Sequence, residues 1–254
     1  MRFSVFGEYT AAIPPPHIPA PERPLRSKLP KLWPWAVLLC LTLSWDASGA
    51  DLRVMGWLGD TQGFALRDHG WLASVMHDGG KRVAMLMYAC VLTMLFWPVG
   101  IWRRVAQIQR LEVIVGITVS LLAVSALKRW SLTSCPWELQ AFGGVASYVS
   151  HWTWGVSDGG SGHCFPGGHA SSAFAFLALC LPWLTSLDPG DRGRGQKLLA
   201  AVVLAGLALG AAQTLRGAHY PSHTAWTAWI CATVAWANHW VFAWWAKSNT
   251  RLAS

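Results

Sequence analysis

The chain has 254 residues, 53% of them hydrophobic and only 13% charged, with eighteen Trp and a formal net charge of +8. This balance excludes both an ordinary soluble domain and a disordered chain. The positive charge would suit a nucleic-acid partner, but its placement along the chain argues for membrane topology instead.

Residues 1–32 carry Pro14, Pro15 and Pro16, then Pro19, Pro21, Pro24 and Pro30. Such a segment builds no core and reads as a Pro-rich cytoplasmic tail. It lacks the apolar run and small-residue cleavage site of a signal peptide, so the first span reads as an uncleaved anchor. Apolar runs follow at about Trp33–Ser48, Val83–Trp102, Leu111–Leu127, His169–Leu187, Leu198–Leu215 and His223–Trp245. Each is taken as a span on the criterion of ~20 residues per crossing, though the first is short and carries Asp46 near its end. The prediction is all-α: a six-helix transmembrane bundle over residues 33–246, with short interfacial helices in the outer loops and a cytoplasmic tail at 247–254.

Arg26, Lys28, Lys31, Arg103, Arg104, Arg110, Arg192, Arg194, Lys197, Lys247 and Arg251 all fall on one side of that bundle. The other side has Arg53, Arg67, Lys81, Arg82, Lys128, Arg129 and Arg216, spread over longer loops. The positive-inside rule then places both termini in the cytoplasm and leaves no reason to invoke nucleic acid. Trp33, Trp35, Trp97, Trp102, Trp130, Trp137, Trp244 and Trp245 sit near span ends, as an aromatic belt requires.

Between spans one and two, Trp71, Leu72, Val75 and Met76 have helical spacing and predict a short helix on the outer leaflet. His69 and His77, with Asp68 and Asp78, match no common metal-ligand spacing and read as a solvated face. The loop Leu187–Lys197, with three glycines, reads as a polar cytoplasmic turn, and His239 in span six reads as structural. Arg129 to Gly168 is the longest outer loop, with enough Gly and aromatic residues to fold over a site.

Three polar clusters stand where spans end or begin on the outer side: Lys128 to Pro136, Gly162 to His169, and Arg216 to His223. Cations at a membrane edge are costly unless they serve a site. Cations, glycine-exposed amides and histidines on one face are what a phosphoryl group needs. The cations and amides hold its oxygens, one His attacks in line, and another protonates the leaving alkoxide.

KRWSLTSCP (Lys128–Pro136), FPGGH (Phe165–His169) and HYPSH (His219–His223) resemble the three signature motifs of the type 2 phosphatidic acid phosphatase superfamily. The resemblance covers about residues 120–235. It implies six spans, no metal, no cofactor and a phosphohistidine intermediate. By position it makes His219 the nucleophile, His169 the general acid and Lys128 a phosphate ligand, with Gly167 and Gly168 offering amides. Cys135 stands where the family has Arg, Gly167 where it has Ser, and Ala212 with Gln213 where it has Ser-Arg. His223 takes the place of the Asp that orients the nucleophile. Arg216, or Arg129, is the candidate to replace the missing guanidinium, and His223 the candidate to orient His219.

Cys135 and Cys164 are the two cysteines of the outer loop and flank two of the motifs. On an oxidising periplasmic face they would form a disulfide, the alternative being two free thiols. The bond would close a loop of about 30 residues, worth roughly 3–4 kcal/mol in the chain-entropy model.

The resemblance thus implies a lipid phosphatase of a bacterial inner membrane, with its site facing the periplasm among membrane lipids. The substrate would be a phospholipid such as phosphatidic acid or phosphatidylglycerol phosphate, an isoprenoid pyrophosphate, or a lipid A phosphate. A phosphotransferase with the same site, and a non-catalytic lipid-phosphate binder or transporter, are the other readings.

Overall fold

The computed structural model describes residues 31–252, so nearly all of the Pro-rich tail and the last two residues lie outside the described residues. The chain is mostly helical. Helix α1 (Trp33–Ala47) and the short α2 (Ala50–Leu58) lead into a two-residue-per-strand hairpin, β1 (Gly59–Asp60) and β2 (Gly63–Phe64). A π-helical segment, Trp71–Gly79, runs directly into α3 (Gly80–Thr93), and α4 (Gln107–Trp130) follows a 3-10 turn. Then come α5 (Gly168–Phe174), α6 (Leu177–Leu184), α7 (Pro189–Leu215) and α8 (Pro221–Leu252).

Helices α5 and α6 form the centre, and α4, α7 and α8 pack around them. Val113 and Ile117 of α4, Phe176, Leu179 and Cys180 of the central segment, Val202 of α7 and Ala235 of α8 share one buried cluster. Close approach depends on glycine. A Cβ at Gly206 would lie 2.5 Å from the buried Phe174 ring, and one at Gly210 would lie 2.3 Å from the Thr224 side chain. Four residues apart, these two glycines form the small-residue stripe that lets helix backbones come together. Between α4 and α8, Glu112 Oε1 meets His239 Nδ1 at 2.6 Å, both side chains buried, which gives His239 its structural partner.

Two helices, α4 and α7, are long and apolar enough to cross a membrane, and Gly168–Leu184 is a shorter apolar helix. Several expected elements differ. The second predicted span ends at Thr93 instead of Trp102, where Pro98 and the turn around Gly100 (φ +55°) follow. The fourth is broken between α5 and α6. The polar stretch after Leu187 is helical from Pro189 and not a turn. Asp188 accepts a hydrogen bond from the Asp191 N–H (2.9 Å) and Pro189 occupies the first turn, and this cap outweighs three glycines.

The structure predicts that Gly206→Val forces the Phe174 ring out of a packed site. Overpacking of this kind costs about 1–3 kcal/mol, so the thermal midpoint in detergent falls by several degrees, which differential scanning fluorimetry will register.

Candidate active site

The three polar clusters meet at one end of the bundle, and the joint is made by main chain. Gly167 N–H donates to the His223 carbonyl (3.2 Å), fastening the entry of α5 to the first turn of α8. Thr227 Oγ1 reaches both the Gly167 and His223 carbonyls, at 3.1 and 2.7 Å. A Cβ on Gly167 would come within 3.3 Å of the His223 oxygen, so this crossing favours glycine. The Gly167 amide is therefore occupied by the fold and is not turned to an anion as the sequence suggested. Gly168 does face the cluster: the Lys128 side chain reaches from the end of α4 across it, with Nζ 3.7 Å from where a Cβ would stand.

His219 follows a tight turn at Gly217, whose φ of +75° and contact with the Phe64 ring both suit glycine. His219 is 6% exposed and His223 1%. Their Nδ1 atoms face each other at 3.5 Å, so His223 stands beside the nitrogen that an orienting residue would hold. Cys135 and Cys164 are joined by a disulfide, with Cys164 Sγ 3.4 Å from His219 Nδ1. The two sulfurs and the imidazole lie within 4.8 Å of one another. Sulfurs bonded to each other are not thiolates, however, so this group does not fit a metal. Burial, then the charges of Lys128 and His169, push His219 down to about 3, so its ring is a free base at neutral pH.

Lys128 has no carboxylate within ion-pair distance among the described residues. Arg216 is engaged elsewhere: Nε donates to the Arg67 carbonyl (2.8 Å), Nη1 reaches Gln213 Oε1 (3.5 Å), and the guanidinium lies over Trp137. Arg129 is exposed at the end of α4.

Several residues here were passed over in the sequence. His77 of the π-helical segment, read as a solvated face, stacks on His169 with centroids 3.8 Å apart. Its carbonyl accepts from His169 Nε2 (2.9 Å). Asp46 accepts from His151 Nε2 and from the indoles of Trp152 and Trp226, the last at 2.7 Å. Asp51 accepts from Ser222 N–H (3.0 Å) and Ser222 Oγ, holding α2 to the start of α8 beside His223. Asp158 accepts from Ser134 Oγ (2.8 Å), anchoring the long outer loop next to the disulfide. None of these pairings has a short sequence spacing that would reveal it.

Imidazoles and an ammonium gathered at one end of a helical bundle make a place where an anion can be held. The family profile of the PAP2 superfamily matches residues 109–248, and the chain belongs to that superfamily. Phosphatase-type activity follows at the level of the family. No curated protein and no solved structure matches the chain significantly.

Two outcomes are expected. Alkylation under denaturing conditions will label four cysteines without reductant and six with it, read by intact mass. His219 binds no proton in the folded chain until about pH 3, while the unfolded chain takes one up near 6.5. It therefore removes stability as the pH falls through that window and costs none above it. The loss of denaturation midpoint between pH 7 and pH 4 will be smaller in His219→Gln than in the wild type.

Proposed function

We propose that the protein is an integral membrane phosphatase that hydrolyses a phosphomonoester or pyrophosphate on a lipid through a phosphohistidine intermediate. The observation that carries this reading is Lys128, a cation with no described carboxylate partner, set over Gly168 and near enough to His219 to act on its charge. An ammonium beside a neutral buried imidazole invites an anion.

In this reading Lys128 and the Gly168 amide hold the phosphoryl oxygens. His219 has Nδ1 beside His223 and Cys164, which leaves Nε2 to attack phosphorus. The P–O bond to the lipid breaks as His169, protonated to the imidazolium once the anionic substrate is bound, gives its second ring proton to the leaving oxygen. Water then attacks the phosphorus, returns a proton to His169 and frees inorganic phosphate and His219. Beside Phe165 a shallow groove has Leu127, Trp130, Leu132 and Trp154 as walls, apolar surface suited to the adjoining part of the lipid.

Membrane placement is supported by α3, which buries none of its residues and exposes Val83, Met85, Leu86 and Met87, Leu86 by 68%. A helix so apolar and so open needs lipid around it. Six crossings are proposed, with α5 and α6 together as the fourth. Helices α1 and α3, at 15 and 14 residues, are the shortest, and bilayer thinning accommodates them. The disulfide supports an oxidising compartment for the motif side, and the basic residues at the other end support a cytoplasmic face there.

Purified protein in detergent with a chelator, offered a panel of lipid phosphates, will release inorganic phosphate from at least one. His219→Ala and His169→Ala will each lower turnover by about 10²–10⁴-fold. Undiminished turnover in His219→Ala removes the mechanism. Phosphate appearing on a second lipid instead of in solution identifies a phosphotransferase.

A further inference from the structure

The chemistry proposed above depends on a well-aimed His169, and what aims it lies outside the matched family region, at residue 77. The π-helical segment Trp71–Gly79 lays the His77 ring on the His169 ring, with 14° between their planes. The His77 carbonyl accepts from His169 Nε2 at 2.9 Å. A carbonyl has no proton to give, so Nε2 carries the hydrogen and Nδ1 is the nitrogen left to meet a substrate. The stack covers one face of the ring and fixes its plane. Hydrogen bond and stack together leave His169 one tautomer and one orientation.

The His77 ring is itself held. Its Nδ1 lies 2.8 Å from Asp78 Oδ1, and this hydrogen bond is the main reason Asp78 sits below the usual carboxylate range. The His77 side chain remains 40% exposed, so core packing does not account for its position. The segment is seated close to α7: a Cβ at Gly80 would meet Leu209 at 2.7 Å. π-Helical turns recur at functional sites because the wider winding re-aims side chains that an α-helix would point elsewhere.

We propose that His77, aligned by Asp78, is the positioning residue of His169, and that the outer π-helical segment is thereby part of the active site. Its catalytic consequence rests on the phosphatase reading above, while its geometry does not.

The test uses the full chain in detergent, a lipid phosphate substrate, and the variants His77→Ala, His77→Phe and Asp78→Asn. His77→Ala keeps the carbonyl but loses the stack, and kcat will fall about tenfold with KM within about twofold, because a misaimed acid hurts the transition state and not substrate binding. His77→Phe, which keeps a flat ring over His169, will recover most of that loss. Asp78→Asn will cost about threefold in kcat. In ¹⁵N-histidine NMR spectra of the wild type, the neutral His169 ring will show the Nε2–H tautomer.

Full kcat in His77→Ala, beside an inactive His169→Ala, overturns the proposal. So does a loss confined to KM, or an equal loss in the Ala and Phe variants, since either makes the His77 ring a substrate contact. An Nδ1–H tautomer of His169 overturns it whatever the activity. If the wild type releases no phosphate from any lipid, the functional reading fails, and the NMR measurement still decides the geometry.

Discussion

One main-chain hydrogen bond, from Gly167 N–H to the His223 carbonyl, closes the end of the bundle where the polar residues gather. It joins the entry of α5 to the entry of α8 and so sets the spacing between the segments bearing His169 and His219. A side chain at 167 would press its Cβ against the His223 carbonyl, 3.3 Å away, so glycine gives the crossing its easiest fit. Lys128 then needs only to reach across Gly168 from the end of α4 for all three clusters to share one space. The rest of the architecture, including the buried α6 and the glycine-lined contact with α7, holds that joint in place.

The departures from the family pattern become intelligible around this joint. Where Arg is expected, Cys135 is bonded to Cys164, and the bridge lies against His219. A covalent tie between the outer loop and the entry of α5 keeps the loop on the site without the help of a charged contact. Where Asp is expected, His223 faces His219 with its own ring. A neutral imidazole polarises its neighbour less than a carboxylate does, but it can be buried without the desolvation cost of a charge. The proposed site is thus less charged than the family pattern and leans more on packing. Lys128 remains as its main cation.

Carboxylates are still present around the region. Asp46 and Asp51, from the first two helices, collect indole, imidazole, hydroxyl and amide donors from the long outer loop and α8. Together with Asp158 on Ser134 they clasp the cap of the site. The acidic residue that makes the first apolar run look doubtful as a span is thereby explained, since Asp46 is spent on three donors beside His223. His77 adds a further imidazole, stacked on His169.

Much was legible without coordinates. Apolar runs located α1 and α4 to within about four residues, and the outer ends of α7 and α8 to within two, while the other ends of α7 and α8 run further than the apolar pattern; cysteine placement named the pair that bonds. The motif order placed Lys128, His169, His219 and His223 as one group, because residues at helix ends must lie on one of two faces. What could not be read were contacts between segments that share no spacing: His77 with His169 across 92 residues, Asp51 with Ser222 across 171. The direction of Arg216 and the use of the Gly167 amide were equally invisible, since both depend on which neighbour arrives first in three dimensions. Local sequence governs where a helix starts and what its end carries. Only the packing of helices distant in the chain decides which donors remain free to meet a phosphoryl group.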